Sequence, residues 1–299
     1  MVVYGAYTPA IKLHNLAYAH ENDCRWDGET CSNAALNGHL EILKYAHENG
    51  CPWDEYTCQH AAGNGHLECL KYAHENGCPW RNQSFQFAAA NGHLEILKYA
   101  HENGCPWGPW GRFTCYNAAK FGHLDCLKYA HENSCPWDEG TCTVAAENGH
   151  LECHKYAHEN GSPWDEETCS NAALNGHLEC LKYAHENGCS WDKDTCRFAA
   201  EKGHLEVLKY AHENDCRWDG ETCMNAAWNG HLECIKYAHE KGCPMDTRNI
   251  WRGAALNGHL EVLKYAHENG CPWERDGLPI VGTSQVKAWI QEVTAQISG

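Results

Sequence analysis

Residues 65–80 read Gly-His-Leu-Glu-Cys-Leu-Lys-Tyr-Ala-His-Glu-Asn-Gly-Cys-Pro-Trp, and close copies of this segment recur along the chain, nearly always 27 residues apart. The second histidine of the segment marks the spacing at His20, His47, His74, His101, His131, His158, His185, His212, His239 and His267. A unit this short cannot bury its own apolar face and has to stack on its neighbours. The 299 residues are therefore expected to form one extended array rather than two separate domains.

Each repeat carries the start and stop signals of two short helices. In residues 51–77, Asp54 is suited to cap a first helix, helix A, by accepting a hydrogen bond from a backbone N–H two or three residues further on. Helix A is expected to run from about Glu55 to the glycine at Gly65, which favours the left-handed conformation that ends a helix. A second helix, helix B, is expected from about His66 to Gly77. The pattern predicts an all-α fold, an α-solenoid of stacked helix-turn-helix repeats.

The repeat pattern also divides the chain. Residues 23–273 are expected to form an array of nine units. Residues 1–22 match helix B alone and predict an N-terminal capping half-repeat, whereas residues 274–299 predict an irregular loop followed by a C-terminal capping helix from Ser284 to Ile297. A solenoid needs such caps to cover its terminal apolar surfaces.

The segment from Cys58 to Glu68, Cys-x-x-Ala-Ala-x-x-Gly-His-Leu-Glu, resembles the ankyrin repeat, and the likeness extends over some 250 residues. The family repeat has about 33 residues, and the missing six fall where the family carries its β-hairpin finger. The resemblance implies an ankyrin-like solenoid without hairpins. It also implies a non-enzymatic scaffold that binds a protein or peptide.

Composition narrows the function further. The net charge of −17 and the pI of 5.6 argue against a nucleic-acid partner, which needs clustered Lys and Arg. The first residues lack the basic and apolar regions of a secretory signal, and no apolar run approaches the ~20 residues of a membrane span, so neither a leader nor a span is expected. A soluble, cytoplasmic monomer with reduced thiols is expected. No Gly-rich phosphate loop or single nucleophile stands out, so neither an enzyme nor a cofactor is expected.

Positions that vary among otherwise similar repeats indicate a binding face. They are the two residues after the helix A cysteine and the one after the Ala-Ala pair, and they form a stripe on helix A. The resemblance places this stripe on the concave side. A loop with three extra residues, 105–115, adds two more candidates. The predicted contact residues are His60, Phe87, Tyr116, Lys120, Arg197, Phe198, Met224, Trp228, Trp110 and Arg112.

An alternative function is zinc binding. The spacing His47-x3-Cys51-x6-Cys58 puts a His on the last turn of helix B, a Cys just after it and a Cys in the next helix. Complete sets are His20, Cys24 and Cys31; His47, Cys51 and Cys58; His101, Cys105 and Cys115; His131, Cys135 and Cys142; His185, Cys189 and Cys196; His212, Cys216 and Cys223. The competing interpretations are a buried thiol core, since apolar residues replace several of these cysteines, and disulfides of the Cys51–Cys58 type.

If the sets are plain core, each buried histidine needs a hydrogen-bond partner. The sequence then predicts a ladder of neutral histidines bound to backbone carbonyl groups. It predicts that histidines of the Gly-His pairs, such as His66, hydrogen-bond at the start of helix B, and that Trp53 packs on Cys58. His154, which replaces a helix B leucine, is expected to be partly exposed.

Overall fold

The computed structural model describes residues 27–79, 83–104, 111–245, 247–271 and 282–298. Within them it contains helices and no strands. The helices are α1 (Gly28–Leu36), α2 (Leu40–Glu48), α3 (Glu55–Gly63), α4 (Leu67–Glu75), α5 (Gln83–Ala90), α6 (Leu94–Glu102), α7 (Arg112–Lys120), α8 (Leu124–Glu132), α9 (Glu139–Glu147), α10 (Leu151–Glu159), α11 (Glu166–Leu174), α12 (Leu178–Glu186), α13 (Lys193–Lys202), α14 (Leu205–Glu213), α15 (Gly220–Asn229), α16 (Leu232–Glu240), α17 (Thr247–Asn257), α18 (Leu260–Glu268) and α19 (Ser284–Ser298). The predicted half-repeat 1–22 lies outside the described residues.

Odd-numbered helices from α1 to α17 are helix A of each repeat, and even-numbered helices from α2 to α18 are helix B. The chain divides into two compact units, residues 1–141 and 142–299, with the boundary inside α9. In the first unit α1, α3, α5 and α7 pack side by side, and each contacts the helix B that follows it. In the second unit α11, α13, α15 and α17 do the same. The predicted all-α solenoid of stacked ankyrin-like helix pairs is confirmed.

Local signals set the helix ends as predicted. The Asp54 carboxylate accepts from the backbone N–H of Tyr56 at 3.0 Å, and Asp165, Asp192 and Asp219 cap their helices in the same way. Helix A ends at Gly65, which has a left-handed backbone. The N–H groups of Gly65 and His66 donate to the carbonyls of Ala62 and Ala61, as is common where a glycine ends a helix. The turn into helix B is therefore only a few residues long.

The core of each repeat consists of small residues on helix A and larger ones on helix B. Ala61 and Ala62 are fully buried, which lets neighbouring helices approach closely, and Leu70 of helix B is also fully buried. In the second unit one apolar cluster runs from Ala146 on α9 to Ile290 on α19. Helix α19 thus covers the apolar side of the preceding repeat.

Candidate functional site

The exposed apolar surface of the array lies on helix A. Among the described residues the large hydrophobic side chains that stay exposed are 37–53 % accessible, and all of them belong to helix A or to the residue that caps its end. They are Tyr56, Phe87 and Phe121 in the first unit and Trp228 and Leu256 in the second. Exposed aromatic and apolar side chains on an otherwise polar surface are typical of an interface.

Helix B presents a different surface. Every described copy except α8, which carries Asp125, has a Glu and a Lys three residues apart that form an exposed ion pair, as Glu68 and Lys71 do at 2.9 Å. The same pair recurs at 2.7–2.8 Å in α6, α12, α14, α16 and α18. Such exposed pairs contribute little to stability. They make helix B a uniform charged face, in contrast to the varied face of helix A.

The predicted contact residues of the first unit do lie on helix A. Phe87 on α5 is exposed, whereas His60 on α3 and Tyr116 on α7 are half-buried. Two cations lie at the ends of α7 over aromatic rings: the Arg112 guanidinium is 5.2 Å from the ring centre of Phe113, and the Lys120 ammonium is 5.7 Å from that of Phe121. These contacts leave both cations on the surface beside an aromatic ring.

The second unit repeats this arrangement. On α13 the Arg197 guanidinium lies 4.5 Å from the ring centre of Phe198, and its Nε donates to the carboxylate of Asp194 at 2.9 Å. On α15 Met224 is half-buried and Trp228 is partly exposed. The remaining candidate, Trp110, lies outside the described residues.

Three exposed side chains on this face were not among the predicted contacts. Leu256 follows the Ala-Ala pair of α17, a position that varies from repeat to repeat. Tyr56 lies in the first turn of α3, where the equivalent residues in other repeats are Glu29, Gly140 and Asp194. That variability is the signal that would have found it. Phe121 replaces the asparagine that usually caps helix A.

The His-Cys sets predicted as metal ligands point to different partners. The Cys51 thiol donates to the carbonyl of Asp27 at 3.3 Å, and the Cys58 thiol donates to the carbonyl of Cys78 at 3.8 Å. Nδ1 of His47 lies 3.1 Å from the hydroxyl of Tyr72. In the part of the chain that the structure describes, no three His, Cys, Asp or Glu side chains come together as a group able to hold a metal ion. His20, Cys24 and Cys105 lie outside that part.

The helix B histidines form an aromatic ladder instead of the predicted ladder to backbone carbonyls. The ring of His158 stacks on Trp164 at 3.6 Å, and its Nδ1 shares a hydrogen bond of 3.0 Å with the hydroxyl of Tyr183 in the next repeat. Trp53 likewise stacks on His47, at 3.7 Å. The physical reason is that the histidine is only half-buried at the seam between repeats, where an aromatic pair covers it.

The histidines of the Gly-His pairs, rather than those of helix B, form hydrogen bonds to backbone carbonyl groups. Nε2 of His66 donates to the carbonyl of Leu36 in the preceding repeat at 3.1 Å, and Nε2 of His93 donates to that of Gly63 at 3.2 Å. These histidines therefore form hydrogen bonds at the start of helix B, as predicted, and the bond goes to the preceding repeat because none of their side chains caps the helix B that follows. Burial lowers the pKa of His93, His177 and His231, which favours the neutral ring that these bonds use.

His154 departs from the sequence expectation. It is fully buried rather than partly exposed. Its Nδ1 hydrogen-bonds to the carbonyl of Cys142 at 3.1 Å, whereas Nε2 is buried without a hydrogen-bond partner. Burial lowers its pKa to about 4. A buried, half-satisfied histidine where other repeats carry leucine destabilises its repeat.

Comparison with known proteins agrees with this architecture. A family model described as ankyrin repeats (3 copies) matches residues 31–105 and 169–249, and one described as ankyrin repeats (many copies) matches residues 85–131. These matches cover more than half of the chain, which therefore belongs to the ankyrin repeat family. A search of the curated proteins found no match.

Membership of the family gives the general function. Ankyrin repeats act as scaffolds for protein–protein interaction, and proteins built from them are generally non-enzymatic. Of the helices in the described ranges, none has the length and apolar character needed to cross a membrane.

Proposed function

We propose that the helix A face of each unit, the concave side in ankyrin-type stacks, binds a segment of a protein or peptide partner. The observation that carries the proposal is the distribution of exposed apolar side chains, since all five large ones among the described residues lie on helix A or its cap. Among the described residues, helix B carries the repeated exposed ion pairs and no large exposed hydrophobic side chain. Partner recognition depends on aromatic and apolar anchors more than on exposed ion pairs.

The chemistry of this face suits a partner segment that combines apolar and acidic side chains. Arg112, Lys120 and Arg197 each lie on helix A beside an aromatic ring. An apolar side chain of the partner can pack on the ring while a carboxylate approaches the neighbouring cation. The net charge of −17 would repel an acidic segment elsewhere on the chain, so a partner carboxylate is expected to approach only at these three cations, where it competes with Asp138 for Arg112 and with Asp194 for Arg197.

Selection of displayed peptides on the immobilised full chain tests the proposal. Peptides that bind are then measured against Phe87→Ala in the first unit and Leu256→Ala in the second. Lys71→Ala and Lys209→Ala on helix B are the matched controls, because each removes one exposed ion pair outside the proposed face. Loss of an apolar anchor should weaken binding about tenfold or more, and the controls should bind almost unchanged.

The opposite pattern would overturn the proposal. If the selected peptides bound Phe87→Ala and Leu256→Ala as tightly as the parent chain and lost affinity for the helix B variants, the binding face would be helix B. Far-UV circular dichroism of each variant separates loss of contact from loss of fold.

A further inference from the structure

Six pairs of cysteines are brought together within single helix hairpins, because the thiol of the second cysteine donates to the carbonyl of the residue that precedes helix A at 3.0–3.3 Å. One member of each pair is on helix A, and the other follows helix B of the same repeat, 20 residues later. The pairs are Cys31–Cys51, Cys58–Cys78, Cys115–Cys135, Cys169–Cys189, Cys196–Cys216 and Cys223–Cys243. Both members of every pair are buried, and no disulfide joins any described cysteine.

The surroundings of the two thiols differ. Cys58 is the fourth residue of α3 and is fully buried. Cys78 follows the turn that ends α4, and its thiol donates to the carbonyl of the α3 capping residue, Asp54, at 3.1 Å. The Cys78 sulfur therefore lies at the N-terminus of α3, close to the backbone N–H of Cys58. Backbone N–H groups at a helix N-terminus stabilise a thiolate.

The acidities of the thiols follow from this geometry. The hydrogen bond from the helix A cysteine lowers the pKa of the second cysteine in the pairs of Cys78, Cys189 and Cys216. The same contact raises the pKa of the helix A partners Cys169 and Cys196. The pairs Cys169–Cys189 and Cys196–Cys216 thus each join one thiol that ionises more readily with one that stays protonated, as in a nucleophilic and a resolving cysteine.

We propose that these six pairs are reversible disulfide sites, closed by a peroxide and reopened by a small-molecule thiol. The thiolate of Cys78 attacks one oxygen of hydrogen peroxide, the O–O bond breaks, and the departing hydroxide takes a proton and leaves as water. The resulting sulfenic acid on Cys78 is attacked by the sulfur of Cys58. The S–S bond forms as the S–O bond breaks, and the thiol proton leaves with the hydroxyl group as a second water.

The balance of this step is two thiols and one peroxide to one disulfide and two waters. Two electrons pass from the sulfurs to the peroxide. Reduction consumes two molecules of a thiol such as dithiothreitol or glutathione per disulfide, which carry the electrons away as their own disulfide. Closure links helix A to the end of helix B in one repeat, so each disulfide reinforces a hairpin and does not join neighbouring repeats.

Two buried cysteines of the chain belong to none of the six pairs and serve as controls. In the repeat of α9 and α10 the second cysteine is replaced by Ser162, which hydrogen-bonds to Cys142. Cys142 therefore has the helix A position without a thiol in the second position. Cys180, a buried helix B cysteine, belongs to no pair. Both serve as internal controls for the chemistry of the pairs.

The test uses the reduced full chain, treated with hydrogen peroxide at neutral pH, blocked with iodoacetamide under denaturing conditions, digested without reduction and mapped by mass spectrometry. We expect crosslinks between cysteines 20 residues apart, such as Cys58–Cys78 and Cys169–Cys189, that disappear after dithiothreitol. Cys142 and Cys180 should be recovered alkylated. Crosslinks of the Cys51–Cys58 type, or no crosslinks in a chain that circular dichroism shows to be folded, would overturn the proposal.

Two variants sharpen this result. Ser162→Cys supplies the missing thiol and should gain a peroxide-dependent crosslink between positions 142 and 162. Cys78→Ser should lose one crosslink, that of its own repeat, and keep the others. If Ser162→Cys folds and stays unlinked while the natural pairs close, position in the repeat does not determine closure and the proposal is wrong. If Ser162→Cys does not fold, the result for Cys78→Ser tests the proposal. Loss of all crosslinks in that variant would contradict the proposal that each pair forms its disulfide independently.

Discussion

Two glycines in one repeat allow the contact between neighbouring repeats to be measured. Gly65 ends helix A and Gly77 ends helix B, and both have left-handed backbones, with φ of +81° and +83°. A β-carbon at Gly65 would lie 2.7 Å from Cε1 of His93 in the next repeat. A β-carbon at Gly77 would meet no atom within 4 Å. Gly65→Ala and Gly77→Ala should therefore lose the same free energy of unfolding from the strained backbone. Only Gly65→Ala should lose more, because its β-carbon would clash with the ring of His93.

The magnitudes follow from these contacts. Alanine in the left-handed region costs about 1–2 kcal/mol, which is the expected loss for Gly77→Ala. At Gly65 the His93 ring must also move, and it then loses the hydrogen bond from its Nε2 to the carbonyl of Gly63. That bond is worth about 1 kcal/mol. Gly65→Ala should thus lose about 2–3 kcal/mol of unfolding free energy. The effect of alanine on the unfolded chain is common to both variants and cancels in the comparison.

Urea unfolding of the full chain, followed by far-UV circular dichroism, measures both losses. The two glycine variants are compared again in a His93→Ala background, where the ring is absent and the difference between them should vanish. Equal losses in the parent background would show that the ring moves without cost, and a difference that survives His93→Ala would place its origin elsewhere. Either result refutes the inferred contact.

Three further predictions test other features. Because burial lowers the pKa of His154 to about 4, below its value of about 6.5 in the unfolded chain, the neutral ring favours the fold at pH 7 and stability should fall between pH 6.5 and 4 by about 3 kcal/mol. In His154→Leu this part of the pH dependence should disappear from urea unfolding curves, and an unchanged pH profile would contradict it. Tyr183→Phe removes the hydroxyl bound to His158 and should cost about 1 kcal/mol in the same assay, with no loss arguing against that bond. Metal analysis should find less than one zinc per chain and unchanged thermal melting after chelation, since the described His and Cys side chains do not gather in threes; about six zinc ions per chain would reinstate the predicted sets.

The sequence predicts what is decided within a few residues. The Asp54 cap, the glycine ends and the two helices of each repeat depend on local hydrogen bonds and backbone conformation, and they are found where expected. Contacts between distant positions are harder to predict from the sequence, because the same residue types recur in every repeat. Cys58 lies 7 residues after Cys51 and 20 residues before Cys78, and these two cysteines occupy equivalent positions 27 residues apart. The spacing alone cannot choose between them, and only the path of the chain brings Cys78 to Cys58.

The histidines illustrate the same limit. A histidine at a position that is apolar in the family was expected to find a backbone carbonyl. In the structure Nδ1 of His47 finds the hydroxyl of Tyr72, 25 residues later, and the carbonyl is taken by the other histidine of the repeat. Either pairing gives each ring one hydrogen bond, so counting the donors and acceptors of one repeat does not distinguish the two pairings. His154 was misjudged for a related reason, since its burial depends on the neighbouring Trp164 and Tyr183.

The varied positions on helix A serve the seam between repeats as well as a partner. A β-carbon on Gly63 would lie 3.2 Å from that of Phe87 in the next repeat, and a β-carbon on Gly253 would overlap the indole of Trp228 in the preceding one. In both places a large side chain lies against a glycine of the neighbouring repeat. Part of the variation among repeats is therefore required by packing. Part of the Trp228 side chain therefore packs on the next repeat. Among the described glycines none has a β-carbon position next to Leu256, which is 40 % exposed, so Leu256 is the stronger candidate for a partner contact.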